Sequence, residues 1–338
     1  MSDLDLSAIG AWMATHAPDL PPPVAATKFA GGQSNPTFLL RPAVGAAYVL
    51  RRKPPGPLLK SAHAVEREYR VQRALAGSGV PVARMHALCE DERVIGSAFY
   101  LMGHVAGRSF DDPRLPEIPR TERDGYIMEM VRVLAAIHRV DLEATGLTDF
   151  GPQGNYFRRQ IDRWSKQYRA TETDAIPAMD RLMAALDRDC PADDGRVTLV
   201  HGDYRLDNLI FDAQSPDIVS VLDWELSTLG HPFADLAALI MQWQMPPGAQ
   251  GRGLAGVDRE AQGLPSDAAV VAAYCARMGL DEIQDFGFYV AFCFFRMGAI
   301  LQGVKKRALD GNASNPERGL DLGALVPVYA AAGEEALR

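Results

Sequence analysis

The run His201-Gly-Asp-Tyr-Arg-Leu-Asp-Asn208 packs an aspartate, an arginine and an asparagine into one short loop, and Asp223 follows fifteen residues later in Val-Leu-Asp-Trp-Glu. These residue types suit the transfer of a phosphoryl group to a hydroxyl. The moving group carries dispersed negative charge, so the protein has mainly to position and neutralise it. Asp203 is the candidate base for the substrate hydroxyl, and Arg205 the candidate to stabilise charge on the moving phosphoryl group. Mg²⁺ is hard and takes oxygen ligands, which makes the Asn208 side-chain carbonyl and the Asp223 carboxylate its candidate donors. Two other readings compete. One is a polar turn with incidental carboxylates. The other is a metal hydrolase built on His201 and Asp203, which wants further His or carboxylate ligands at helical spacing, and none is evident. His201 is expected to brace the loop.

The spacing from Asp203 to Asn208, with an aspartate after the next strand, matches the D-x-x-x-x-N and D-F-G placement of protein kinases. Arg205 sits where many of those enzymes place a lysine. The same pattern asks for nucleotide-binding counterparts upstream. Gly31, Gly32, Gln33, Ser34 and Asn35 are expected to turn tightly and offer backbone N–H groups to phosphates, with an ordinary turn as the alternative. Arg51 stands in the slot of the V-A-I-K lysine and can pair bidentately with phosphate oxygens. Lys53, on the same face of an ideal strand, is its rival. Glu68 and Glu66 compete to orient that cation. Glu68 lies roughly 45° from the apolar stripe of its helix and Glu66 roughly 115°, which favours Glu68. Met102 and His104, at the expected hinge, complete the candidate nucleotide contacts, with a structural role as the alternative for His104. His138 reads as a satisfied interior histidine. Asp235 either caps a helix or holds backbone N–H groups of the catalytic loop.

The elements that must position these residues are legible in outline. Residues 4–16 suggest a short helix before a proline run. Thr37–Leu40 and Ala46–Leu50 read as strands about a glycine turn, and 94–105 as a strand pair. Residues 61–76 and 124–138 carry helical stripes. Short β-rich runs at 197–200, 209–211 and 218–222 flank the polar loops. The chain is helical again after 233, apart from a Gly/Pro-rich loop at 245–265. The expected fold is α+β and bilobal, protein-kinase-like, with a strand-rich N-lobe over 1–103 and a mostly helical C-lobe over 104–338.

The 338 residues suggest one large or two medium domains, and 47% apolar residues suffice for a substantial core. A net charge of −8 argues against nucleic acid as a partner. The four cysteines form no CxxC pair, so reduced thiols in a cytoplasmic protein are expected. The first residues lack the pattern of a secretory signal. The apolar stretch Phe286–Val304 is interrupted by Arg296 and reads as a buried helix, so no membrane partner is expected.

The HGDYRLDN loop and the VLDWE strand resemble the aminoglycoside phosphotransferase family, whose fold is similar to protein kinases. Longer runs carry a closer resemblance: 31–37, 50–56, 223–232, 294–304 and 311–314 recur in a subgroup similar to the kinase domain fused ahead of acyl-CoA dehydrogenase domains in some animal enzymes. The resemblance implies ATP and Mg as cofactors and a small-molecule hydroxyl as acceptor, namely that of a 4-hydroxyacyl-CoA. Its phosphorylation would create a leaving group for later catabolic steps. With no dehydrogenase domain in these residues, a separate acyl-CoA dehydrogenase is the expected partner. The alternatives are an aminoglycoside or other amino-alcohol kinase and a nucleotide-binding pseudokinase. Polycations would want carboxylates such as Asp258, Glu260, Asp267, Asp281, Glu282 and Asp285. Coenzyme A would want cations such as Arg296, Lys305 or Lys306.

Overall fold

The computed structural model describes residues 4–29, 35–54, 64–248, 251–313 and 315–338. The chain forms two compact units, each discontinuous in sequence. The first holds 1–110, 140–148 and 205–227, and the second holds 111–139, 149–204 and 228–338.

The first unit is built on a five-stranded antiparallel sheet. Its strands are β1 (Pro23–Lys28), β2 (Thr37–Pro42), β3 (Tyr48–Arg52), β4 (Met85–Cys89) and β5 (Phe99–Gly103), in the spatial order β1-β2-β3-β5-β4. All five residues of the central strand β3 are buried. Successive side chains point to opposite faces. Tyr48 and Leu50 therefore enter a core with Ile9 and Met13 of helix α1 (Leu6–His16). Arg51 faces the other way, directly opposite Tyr100 of β5. Tyr100 packs with Val65 and Tyr69 of helix α2 (Val65–Ala74).

The expected strand pair over 94–105 is a single strand, β5. Asp91 accepts the Arg93 N–H at 3.0 Å, and Gly96 has φ +82°. That local turn chemistry ends β4 and delays the next strand. The unit closes with a small hairpin of β7 (Leu209–Phe211) and β8 (Ile218–Val221), preceded by a 3-10 turn at Leu206–Asn208 and followed by another at Trp224–Leu226.

The second unit is mostly helical. It contains α3 (Arg123–His138), α4 (Tyr156–Thr171), α5 (Pro177–Arg188), α6 (Phe233–Trp243), α7 (Arg259–Gln262), α8 (Asp267–Met278), α9 (Phe286–Leu309), α10 (Pro316–Gly323) and α11 (Val326–Ala336). One of its small sheets pairs β6 (Thr198–Val200) with β9 (Thr228–Gly230), and another pairs Pro247–Gly248 with Gly251–Arg252. Helix α9 is long and apolar enough to cross a membrane by length and composition, but 72% of its most apolar window is buried in this structure. It packs against α4, α5, α6, α10 and α11 as a core helix. The 245–265 segment holds α7, whose Asp258 caps it through the Ala261 N–H.

Candidate active site

In the first unit the sheet and α2 bring opposite charges together in the interior. Arg51 Nε lies 2.7 Å from Glu68 Oε2, and its Nη2 lies 2.5 Å from Asp223 Oδ1 and 3.7 Å from Glu225 Oε2. The Glu68 side chain is 1% exposed. It also accepts hydrogen bonds from Asn35 Nδ2 at 2.6 Å and the Tyr100 hydroxyl at 3.1 Å. Burial pushes the Glu68 carboxyl up to about 7, against the pull of the Arg51 guanidinium. For Arg51 burial works against the charge, but Glu68 and the other negative neighbours outweigh it and raise its pKa.

Lys53 pairs with Glu66 at 2.9 Å, nearer the surface. The two rival cations and two rival glutamates thus form two parallel pairs, of which only Arg51–Glu68 reaches Asp223. Asn35 turns its amide inward to Glu68. Gly31, Gly32, Gln33 and Ser34 lie outside the described residues.

The hairpin places Asn208 next to Asp223. The Leu222 N–H donates to the Asn208 carbonyl at 2.8 Å. Asn208 is buried, whereas the Asp223 side chain is 29% exposed. Asp223 has φ +61° and ψ +60°, a left-handed conformation that costs a non-glycine residue about 1 kcal/mol or more. Its ion pair with Arg51 helps hold it there. Arg205 Nε lies 3.4 Å from Asp207 Oδ1.

The segment after β5 lies along the same hairpin. Arg108 and Phe211 exchange backbone hydrogen bonds at 2.8 Å. A Cβ on Gly107 would stand 2.3 Å from the Phe211 carbonyl oxygen, so only glycine permits this approach. Met102 is half-buried opposite Val49, and His104 is exposed.

Asn208 and Asp223 offer oxygen donors of the kind Mg²⁺ takes, and would hold it while leaving positions for water and phosphate. Among the described residues no cluster of three or more His, Cys, Asp or Glu side chains is arranged for a metal.

In the second unit the start of the candidate loop is pinned residue by residue. Asp235 sits in the first turn of α6, but its carboxylate does not cap that helix. It accepts the His201 N–H at 2.7 Å and the Gly202 N–H at 2.8 Å. Its Oδ2 also lies 3.2 Å from His138 Nε2, and His138 Nδ1 lies 2.6 Å from the Tyr274 hydroxyl. Burial pushes the Asp235 carboxyl up, but the His138 hydrogen bond and charge, His201 and the Gly202 N–H together hold it below the usual carboxylate range. The Asp203 N–H donates to His201 Nδ1 at 3.2 Å, and the Tyr204 hydroxyl donates to the Met130 carbonyl at 2.8 Å. Gly202 has φ +85°, which explains the glycine between histidine and aspartate. Arg296 Nη2 donates to the Gly202 carbonyl at 3.4 Å.

Arg51, Glu68, Met102, His104, Arg205, Asn208 and Asp223 therefore lie in the first unit and Asp203 in the second. The run 201–208 passes from one to the other after Tyr204. Glu225 and Tyr100, missed in the sequence, join the Arg51 cluster. Tyr274 was missed too; its partner His138 stands 136 residues away and no local pattern links them.

A five-stranded antiparallel lobe with a buried cation–glutamate pair, and a helical lobe carrying the HGD loop, define a protein-kinase-like fold. The chain belongs to the phosphotransferase enzyme family, whose model matches residues 25–274. The mouse acyl-CoA dehydrogenase family member 10 is 48% identical over 294 residues, covering 87% of this chain but 27% of that protein. A Ralstonia eutropha crystal structure, provisionally designated an aminoglycoside phosphotransferase, superposes with a TM-score of 0.90 at 48% identity, covering 99% of this chain and 98% of that one. A spectinomycin phosphotransferase complexed with ADP and spectinomycin shares the fold, with a TM-score of 0.66 at 12% identity over 99% of this chain and 100% of that one.

Proposed function

We propose that this protein is an ATP- and Mg²⁺-dependent kinase that phosphorylates the hydroxyl of a small molecule. The observation that carries this reading is the Arg51–Glu68–Asp223 cluster, with Asp223 on the hairpin that also bears Asn208. Arg51 binds phosphate oxygens of the nucleotide, and Glu68 fixes its guanidinium. Asn208 and Asp223 would hold magnesium, which when bound neutralises charge on the phosphates. Asp203 accepts the acceptor's hydroxyl proton as that oxygen bonds to the γ-phosphorus. The bond from the γ-phosphorus to the bridging oxygen breaks, and ADP leaves. Arg205 supports the charge on the transferred group.

The acceptor we favour is a hydroxyacyl compound such as a hydroxyacyl-CoA, with a separate acyl-CoA dehydrogenase as partner enzyme. Its support is the similarity to acyl-CoA dehydrogenase family member 10. An aminoglycoside acceptor draws less support, because Asp258 caps a helix and Asp267 pairs with Arg259. A cytoplasmic location agrees with four free cysteines. The test is Asp203→Ala assayed with [γ-³²P]ATP over acyl-CoAs, aminoglycosides and amino alcohols. Transfer should be lost while nucleotide binding persists; retained turnover would remove Asp203 from the role of base.

A further inference from the structure

The second unit contains a cation that the kinase reading leaves without a task. Arg296 stands midway along α9, directed at the backbone that carries Asp203. Its Nη2 donates a long hydrogen bond to the Gly202 carbonyl at 3.4 Å. No carboxylate lies within ion-pair distance of it among the described residues. Other arginines of the same unit are satisfied differently. Arg169 lies 2.6 Å from Asp180, Arg181 2.6 Å from Glu334, and Arg259 2.5 Å from Asp267.

Burial works against the charge on Arg296, while Cys293, Tyr156, Asp235 and Asp203 act in the opposite sense, and the balance favours the cation. A guanidinium has five N–H donors and no acceptor. Half-buried beside one weak acceptor, it has donors left for a group rich in oxygen.

We propose that Arg296 receives an acyl oxygen of the acceptor, either a free carboxylate or a thioester carbonyl, and thereby selects an acyl-bearing hydroxyl compound over an amino sugar. The inference rests on Asp203 being the base that meets the acceptor hydroxyl. Arg296 Nη2 reaches the carbonyl of Gly202, the residue before Asp203, so a group bound to this guanidinium belongs to the part of the acceptor near the reacting hydroxyl. An ammonium group there would face a fixed like charge. An acyl oxygen gains charge-assisted hydrogen bonds in a planar fork.

The competing account is that Arg296 only props the Gly202 carbonyl. The two are separated with the full chain, Mg²⁺-ATP and a matched acceptor series: 4-hydroxypentanoate, its N-acetylcysteamine thioester and 1,4-pentanediol, which lacks the acyl oxygen. In the wild type the better acyl compound should exceed the diol about 10-fold or more in kcat/KM, and whether acid or thioester leads identifies the natural form. Arg296→Gln should cost ~10–100-fold on the acyl compounds, mainly through KM. It should leave KM for ATP and turnover of the diol within about 3-fold, with partial rescue in Arg296→Lys. Equal losses on acyl compound and diol would overturn the proposal. If the wild type phosphorylates none of the three, the kinase reading fails for this class, and calorimetric titration with 4-hydroxypentanoate and the diol tests Arg296 by itself. Tighter wild-type binding of the acid that disappears in Arg296→Gln supports the inference, whereas equal binding in both proteins refutes it.

Discussion

Asp235→Asn exchanges one carboxylate oxygen for an NH₂ and changes almost no volume, yet it should disable the loop that presents Asp203. The carboxylate accepts two backbone N–H groups, one on each oxygen, and Oδ2 also meets His138. An amide has only one acceptor oxygen. Whichever way it is turned, its NH₂ faces either the Gly202 N–H or the His201 N–H, and one buried donor is left without an acceptor. A hydrogen bond to a charged group contributes about 1.5–3 kcal/mol, and stranding a buried donor costs a similar amount. We therefore expect about 3 kcal/mol of destabilisation, or a fall in Tm of roughly 5–10 °C. Because the folded-state pKa of Asp235 is depressed, its stabilisation is fully present above the unfolded carboxylate pKa and is lost as pH falls through the folded value. The gap in stability between wild type and variant should accordingly close in acid. In kinetics, kcat should fall ~10–100-fold with KM for ATP nearly unchanged, since the residues proposed to bind the nucleotide lie in the other unit. Thermal melts from pH 3 to 8 and steady-state kinetics on one sample supply both readouts. A variant with wild-type Tm and kcat would refute the idea that this carboxylate sets the backbone before Asp203.

Two further perturbations address the first unit. Glu68→Gln should raise KM for ATP ~10-fold or more by freeing Arg51 from its orienting partner. Because burial pushes Glu68 up to about 7, wild-type nucleotide affinity should fall as pH drops from 8 to 6, and the variant should lose that dependence. Stability should move the opposite way, since a raised carboxyl contributes stability that is present below its unfolded pKa and lost as pH rises through about 7; calorimetry across that range checks the sign. Gly107→Ala places a Cβ against the Phe211 carbonyl and should cost about 2 kcal/mol in urea unfolding, whereas Gly125→Ala, with nothing near its added methyl, should not.

The residues legible in the sequence are those whose relation is local or follows a strand or helix period. Asp203, Asn208 and Asp223 stand out by spacing, and the inward turn of Glu68 follows from the 100° step of α2. The partners that fix them are not local. Asp235 offered two local readings, and only tertiary packing chose between them. Tyr274 reaches His138 from a different helix. The strand pair expected over 94–105 failed for a local reason that was available, since Asp91, Arg93 and Gly96 together form a turn. Apolar content alone does not separate a strand from the approach to one.

The same distinction separates the reaction from the acceptor. Phosphoryl transfer asks little covalent chemistry of the protein, so a few spaced oxygens and cations identify it, and one fold can serve unlike acceptors. Acceptor choice depends on side chains brought together by helix packing, where the relevant fact is which charges are already spent. Lys305 and Lys306, once candidates for coenzyme A phosphates, are paired with Asp174 and Asp310. Asp258 and Asp267, once candidates for a polycation, are engaged in a cap and an ion pair. Arg296 makes no ion pair among the described residues, and its Nη2 reaches the carbonyl of Gly202, the residue before the candidate base. Thus the residues that point to the reaction are read from the loop, whereas a residue that chooses the acceptor is sought by asking which cations the fold has already paired.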